Sequence, residues 1–250
     1  MIGGVILAAG KGTRFKSENG NKTAAEFLGK PLVVYGVDLL EKCCDEIIVV
    51  IGQNSESVKE AVGQRKKVKF VEQSELTGTG TAVRVAIEAW GDNIPDSIVV
   101  GYGDHMMFYH QKNIEELVSK VGDSTVITLV STIHDSPSEL KWGRIVRNEI
   151  NLIERIVEQK DATEEEQKIE ELNAGLYAFV GEFLAKEIFN ISNSPVTGEY
   201  YLTDLIGMAL NSGSKVDAVI LPFEQVGFGI NTKEELYSAE QMWNKVNKSE

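Results

Sequence analysis

The chain has 250 residues, with 25 Lys and Arg against 38 Asp and Glu and a formal net charge of −13. That length supports a substantial core, and an acidic chain without a sustained basic stripe argues against nucleic-acid binding. Cys43 and Cys44 are its two cysteines and stand next to each other, so neither a disulfide framework nor a CxxC metal site can be read.

Short runs rich in Val and Ile predict strands over 5–7, 47–51, 68–71, 98–102 and 126–130. Amphipathic stretches predict helices over 33–42, 55–62, 81–90 and 114–121. Strands alternating with helices imply right-handed crossovers and a mostly parallel sheet covered on both faces, with ligands beyond the carboxyl ends of the strands. Arg65, Lys66, Lys67 and Lys69, the densest basic cluster, read as a solvated loop leading into the third strand. After about Thr132 the pattern shortens and becomes more polar, with strands over 144–147, 152–157 and 172–180 interrupted by the charged stretch 160–171. This part reads as a smaller antiparallel lobe on the substrate side. A helix over 233–246 closes the chain, and no internal repeat is evident. The first apolar run has no basic region before it, and no apolar run approaches the ~20 residues that cross a bilayer. A soluble cytoplasmic protein with no membrane partner is therefore expected.

The run VILAAGKGTRF, 5–15, leaves the first strand through small residues into a glycine loop with two cations. Such a turn brings backbone N–H groups close to a ligand, commonly a phosphate. Gly4 lies one residue too early before Gly10 for a Walker A loop, and Phe15 stands where a dinucleotide fingerprint needs Gly or Ala. By itself the loop is equally an ordinary strand-to-helix turn. EQSELTGTGTAV, 72–83, sets Gln73 and a second glycine loop after the third strand, and a side-chain amide offers a nucleobase both a donor and an acceptor. Asp104 follows the fourth strand, a usual place for a magnesium carboxylate, or else it accepts turn hydrogen bonds. Asn173 precedes a strand and Asn231 precedes the last helix, where Asn231 or Thr232 would make an N-cap and Glu235 would complete a capping box. His105, His110 and His134 show no helical metal-ligand pair and read as surface or packing residues.

Taken in order, LAAGKGTR, Lys22 shortly before GKPLV, EQSELTGTGTA, YGD, GRIVR, IVEQKDAT, ELNAGLYAF, GEYYLTDLI and GINTKEEL span almost the whole chain. The set resembles the sugar-1-phosphate nucleotidyltransferases, most closely the uridylyltransferase half of the bifunctional enzymes that make UDP-N-acetylglucosamine. The resemblance implies one α/β domain over 1–250: a Rossmann-like mixed, mostly parallel sheet of the nucleotide-diphospho-sugar transferase type, with a smaller antiparallel lobe. Within it, 1–131 would bind nucleotide, 132–231 would bind sugar, and 232–250 would form the C-terminal helix. The implied reaction transfers UMP from UTP to N-acetylglucosamine 1-phosphate with loss of pyrophosphate.

Under that resemblance Arg14, Lys22 and Asp104 are catalytic, and Ala8, Ala9, Gly10, Lys11, Gly12, Gln73, Gly78 and Thr79 bind the nucleotide. Tyr102, Gly143, Glu158 and Asn173 hold the sugar, and Asp104 and Asn231 hold Mg2+. Two departures stand out. His105, Met106 and Met107 replace the family's Val-Pro-Leu type run, and Asn21-Lys22-Thr23-Ala24-Ala25 replaces its Pro-Lys-Val-Leu. The chain ends where the bifunctional enzymes begin their hexapeptide-repeat part, so no acetyltransferase activity is expected. A glucose 1-phosphate enzyme using UTP or dTTP, a catalytically silent nucleotide-sugar binder and assembly into identical copies all stay open.

Overall fold

In the computed structural model, whose described residues are 1–10, 21–52, 55–122 and 124–246, the strands sort by how fully apolar they are. β1 (Ile2–Ala8), β4 (Glu46–Ile51), β6 (Ser97–Tyr102), β7 (Thr125–Ile133) and β10 (Glu171–Val180) are buried along most of their length. Runs of this kind are buried on both faces. They form the middle of a sheet ordered β11-β7-β10-β6-β1-β4-β5, with β5 (Val68–Glu72) and β11 (Lys215–Ile220) at its edges. Every neighbouring pair is parallel except those of β10, which runs antiparallel to both β6 and β7. The mixed, mostly parallel sheet expected from the sequence is thus observed.

Alternate residues of each strand feed two cores. Val5, Leu7, Ile48, Val50, Ile98 and Val100 face the layer holding α3 (Thr79–Trp90) and α6 (Asp204–Asn211). Ile6, Ala8, Ile47, Val49 and Val99 face α1 (Leu32–Leu40) and α4 (Gln111–Lys120). Met106 belongs to this second core, while α2 (Glu56–Val62) packs against α1. A third, smaller core is rich in aromatic residues. Phe27 from the hairpin of β2 (Glu26–Phe27) and β3 (Lys30–Pro31) packs with Met107, Phe108 and Ile230, and with Ala239 of α8 (Lys233–Val246). The Trp243 ring closes it edge-on to Phe27 and Phe108, at centroid separations of 5.7 and 5.4 Å. Met106, Met107 and Phe108 are therefore core residues, and the run after Asp104 is a buried anchor.

The part after Thr132 is organised differently from the expectation. β8 (Arg144–Arg147) and β9 (Ile153–Val157) do form an antiparallel hairpin, but β10 passes through the main sheet and pairs with that hairpin only through Leu172 and Arg144. Its aromatic and small apolar residues suit it to double-sided burial. The stretch 160–171 carries a short 3-10 turn, Glu166–Lys168. Beyond it lie α5 (Gly181–Glu187), α6, β11 and α7 (Phe223–Val226), none of which is among the elements expected from the sequence.

β1 stands between β4 and β6, so the chain leaves it in one direction for β4 and β5 and returns on its other side for β6. The crevice of such a sheet opens at this switch, beyond Ala8 and Tyr102. Because β10 runs backwards, its amino end, Glu171 to Asn173, reaches the same edge as the carboxyl ends of its neighbours.

The aromatic core ties α8, and with it the segment of Asn231, to the body of the domain. Trp243→Ala is expected to lower unfolding free energy by about 2–3 kcal/mol, below the ~3–5 of a fully buried Trp because this ring is half-exposed. Urea unfolding of the two proteins measures it.

Candidate functional site

Asp104 lies two residues past β6, and its carbonyl accepts a hydrogen bond from Ile230 N at 3.1 Å. That single backbone bond joins segments more than a hundred residues apart and brings Asn231 beside Asp104. At the start of α8, Glu235 Oε2 accepts from Asn231 N at 2.6 Å and from Thr232 N at 2.9 Å, and Thr232 Oγ1 accepts from Glu235 N. Thr232 and Glu235 thus make the capping box, and the Asn231 side chain is left to face the cleft.

Lys22 enters from the other side. Asn21 caps the 3-10 turn Lys22–Ala24 through Thr23 N and donates its Nδ2 to Ala8 O at 2.9 Å, so the turn is pinned to the end of β1. Lys22 Nζ then forms an ion pair with Asp104 and donates to Asn231 Oδ1 at 3.0 Å, with both charged side chains mostly buried. Two oxygens from distant segments therefore converge on one cation.

A continuous cleft passes this cluster. On one side a cavity of about 460 Å3 is lined by Ala9, Gly10, Gln73, Gly78, Thr79 and Tyr102. On the other side a cavity of about 360 Å3 is lined by Tyr102, Trp142, Glu158 and Glu199, and an adjoining recess reaches Gly143 and Asn173. Asn231 and Tyr102 border all three. Ala8 lies buried beneath the wall that Ala9 and Gly10 line. Lys11, Gly12 and Arg14, expected in the opening loop, lie outside the described residues.

The second glycine loop is built by close approach of the GEYYL segment. Tyr200 N donates to Thr77 O and Gly80 N donates to Tyr200 O, both at 2.8 Å, while Thr79 Oγ1 accepts from Leu202 N at 3.0 Å. Gly78 has φ +123°, and a Cβ there would come within 2.4 Å of Tyr200 O, so no other residue fits without moving one of these strands of chain. The Gln73 side chain is nearly buried, and its Nε2 donates to Gly78 O at 3.2 Å and to Thr81 Oγ1 at 2.8 Å. Both amide protons are thus directed into the protein. The sequence expectation that this amide offers a base both a donor and an acceptor is corrected: the carbonyl oxygen is what remains to face a ligand.

On the other side, Tyr102 lies against Gly175, whose φ is +73° and whose Cβ would meet the ring at 2.6 Å. Asn173 donates Nδ2 to Tyr177 Oη at 2.6 Å and accepts from Gly175 N at 3.2 Å, so its amide stiffens the turn even as it borders the cleft. Asn173 N also donates to Gly143 O at 2.8 Å. Glu158 accepts from Thr203 Oγ1 at 3.0 Å, and it forms no ion pair with Lys160 among the described residues. Burial raises its carboxyl pKa above the usual range, with Asp161, Asp204 and Glu199 pushing the same way and Thr203 opposing. Burial likewise raises the Tyr102 phenol, with the charge of Glu158 adding to it.

His105 is buried against Trp142, at 4.8 Å between ring centroids, with Nε2 3.2 Å from Gly227 O; burial lowers its pKa. His110 caps α4 and His134 accepts from Ser136 N, so all three histidines serve structure. Among the described residues no group of three or more His, Cys, Asp or Glu is arranged to hold a metal, and no helix is long and apolar enough to cross a membrane. Several lining residues escaped the sequence reading, Lys141, Trp142, Glu199 and Gly175 among them. Glu199 borders both large cavities, and Gly175 seats the Tyr102 ring.

Known proteins resemble this chain in sequence and in fold. Residues 4–168 match the MobA-like NTP transferase domain family. The chain is 36% identical over 240 residues to the bifunctional protein GlmU of Hydrogenovibrio crunogenus, and 37% over 251 residues to that of Halalkalibacterium halodurans. Each alignment covers 96% of this chain but 51% and 52% of the relative, so the chain spans about half the length of the curated relatives it matches. A structure of apo UDP-glucose pyrophosphorylase superposes with a TM-score of 0.79 at 17% identity, covering 99% of this chain and 100% of that one. A putative glucose-1-phosphate thymidylyltransferase from Bacillus anthracis gives 0.75 at 19%, covering 97% and 95%; at these identities the likeness speaks for the fold. The family model over residues 4–168, with relatives matched along 96% of the chain, shows that the chain belongs to the MobA-like NTP transferase domain family.

Proposed function

We propose that this protein transfers UMP from UTP to N-acetylglucosamine 1-phosphate, forming UDP-N-acetylglucosamine and pyrophosphate. The observation that carries the reading is the convergence of Lys22, Asp104 and Asn231 at the junction of two cavities. In this reading the nucleotide lies over Ala9 and Gly10 with its base toward Gln73 and Gly78. The sugar lies toward Glu158 and Asn173, and the two phosphates meet between them. An oxygen of the sugar phosphate attacks the α-phosphorus in line, the bond to the β-phosphate breaks, and pyrophosphate leaves. Such chemistry asks a protein for positioning and charge neutralisation rather than for a covalent nucleophile.

The donor set suits a divalent cation. Asp104 Oδ2 and Asn231 Oδ1 already share the Lys22 ammonium, a monovalent stand-in, and hard oxygen donors with room for phosphate and water are what magnesium takes. Mg2+ held by these two residues would neutralise charge developing on the transferring phosphoryl group. Lys22, displaced from its partners, has the reach of a long flexible ammonium to pair with phosphate oxygens. Gln73 Oε1 is placed to accept the N3–H of uracil. Adenine has no donor in that position, which favours UTP over ATP.

Purified protein with Mg2+, UTP and a panel of sugar 1-phosphates tests the reading through pyrophosphate release. N-acetylglucosamine 1-phosphate is expected to exceed glucose 1-phosphate by at least ~10-fold in kcat/KM, the loss of one hydrogen bond of about 1.4 kcal/mol; equal efficiencies overturn the sugar assignment.

Asp104→Asn is expected to keep the fold and lower kcat by roughly 10²- to 10³-fold at saturating Mg2+. Gln73→Ala is expected to shrink the UTP-to-ATP ratio of kcat/KM, and an unchanged ratio places base reading elsewhere.

The buried Glu158 carboxyl gives a pH test. Its folded-state pKa is raised, so the folded chain binds the proton more readily than the unfolded chain, and the ionised carboxylate is a cost at neutral pH. That cost disappears as pH falls through the raised pKa. Glu158→Gln is therefore expected to raise Tm at pH 7, with the gain fading toward pH ~4, while weakening the sugar phosphate's KM.

A further inference from the structure

Arg144 is among the largest fully buried side chains of the described residues, yet no carboxylate forms an ion pair with it there. Its guanidinium instead donates to four carbonyls. Nη1 reaches Leu140 O at 3.1 Å and Trp142 O, and Nη2 reaches Pro137 O at 2.9 Å and Gln167 O at 3.4 Å. Burial lowers its pKa, and Nε has no hydrogen-bond partner among the described residues. A buried cation in no ion pair is costly, the charge of Glu158 only partly opposing the desolvation, so the fork must be held by what it organises. What it organises is one wall of the sugar-side cleft. The carbonyls it gathers bracket Lys141 and Trp142, which line that cleft, and Gly143 continues the same wall to Asn173. The neighbouring Arg147 shows the contrast, since it makes an ordinary two-pronged ion pair with Glu171.

We propose that Arg144 is a positioning residue for the acceptor: its guanidinium folds the 137–143 segment into the wall that receives the sugar 1-phosphate, without touching substrate. The proposal rests on the transferase reading above but concerns only its sugar half. Planar geometry is the essential property. A lysine ammonium keeps the charge but cannot span carbonyls on both sides of the segment and on 167 at once. The nucleotide half is built from β1, β5 and the 73–80 loop, none of which Arg144 bonds.

Arg144→Lys and Arg144→Met are to be compared with wild type in three measurements: Tm, steady-state kinetics for each substrate, and amide hydrogen exchange of the ligand-free protein. Both variants are expected to raise KM for the sugar 1-phosphate at least ~10-fold while KM for UTP and kcat stay within ~3-fold. Exchange is expected to accelerate at 137–143 and stay unchanged at 73–82. Wild-type behaviour of Arg144→Lys overturns the role of the fork. A lowered Tm with both KM values unmoved, or both rising together, reduces Arg144 to a general stabiliser. Unchanged exchange at 137–143 overturns the proposal even if Arg144→Met does not fold, since Arg144→Lys retains charge and stem. Absence of sugar 1-phosphate turnover in the wild type instead removes the transferase reading and this proposal with it.

Discussion

The site depends on one backbone hydrogen bond, from Ile230 N to Asp104 O, because it decides that a carboxylate oxygen and an amide oxygen from distant parts of the chain face the same point. Asp104 needs nothing more than the end of β6 to be in place. Asn231 needs the whole second half of the chain to return. The returning segment is held by layers of unrelated chemistry: the aromatic core of Phe27, Phe108 and Trp243, the contact of His105 Nε2 with Gly227 O, and the capping box of Thr232 and Glu235. Each leaves the Asn231 side chain uncommitted on its cleft side. Lys22 then completes the cluster, because Asn21 ties its turn to Ala8 O at the end of β1. Three segments thus meet at the sheet's switch point, where the diverging connections of β1 leave a crevice for them to fill.

The first half of this fold is legible in the sequence because doubly buried parallel strands announce themselves as unbroken apolar runs: the strands over 47–51 and 98–102 need no tertiary knowledge to be found. The position of β10 is not legible in the same way, since a run such as LNAGLYAFV states burial but not its neighbours; only long-range pairing decides that it lies between β6 and β7 rather than with the hairpin. The edge strand KVDAVI alternates polar and apolar residues, and α6 spaces Leu205, Ile206 and Ala209 on one face, so both carry a local signal by which they could be found. Lys22, Asp104 and Asn231 are each legible as residue types after strands or turns, but their convergence is not. Arg144 is the least legible. In GRIVR it looks like one of two strand-end cations, and nothing local says that one is entombed among carbonyls while the other pairs with Glu171.

The antiparallel strand also explains how one edge of the sheet comes to be lined from both halves of the chain. A purely parallel sheet offers that edge only the residues beyond its strands' carboxyl ends. By running backwards, β10 presents residues at its start, so Asn173 and the Gly175 turn arrive beside Tyr102 from the amino side. The irregularity in register between Asn173 and Tyr177 lets the strand leave the ladder long enough for Asn173 to bond Tyr177 Oη and border the cleft. The hairpin of β8 and β9 then attaches to this same start through Leu172, adding Gly143 and Glu158 next to Asn173. Sugar-side residues separated widely in sequence are therefore neighbours because one strand is reversed.

A protein with a net charge of −13 must still admit anions if it works on phosphates, and cations gathered in one cleft would allow it. At the junction the cation is Lys22, paired with Asp104 and Asn231. Beyond it the wall carries both signs: Glu158 and Glu199 line it together with Lys141 and Lys160, while Asp161 and Asp204 stand close enough to raise the Glu158 pKa and desolvation makes that carboxyl harder to ionise. A carboxyl in this setting hydrogen-bonds hydroxyl and amide groups. In the proposed reaction the acceptor therefore lies with its phosphate toward Lys22 and its ring toward Glu158, so that its phosphate meets the nucleotide's at the junction of the two cavities.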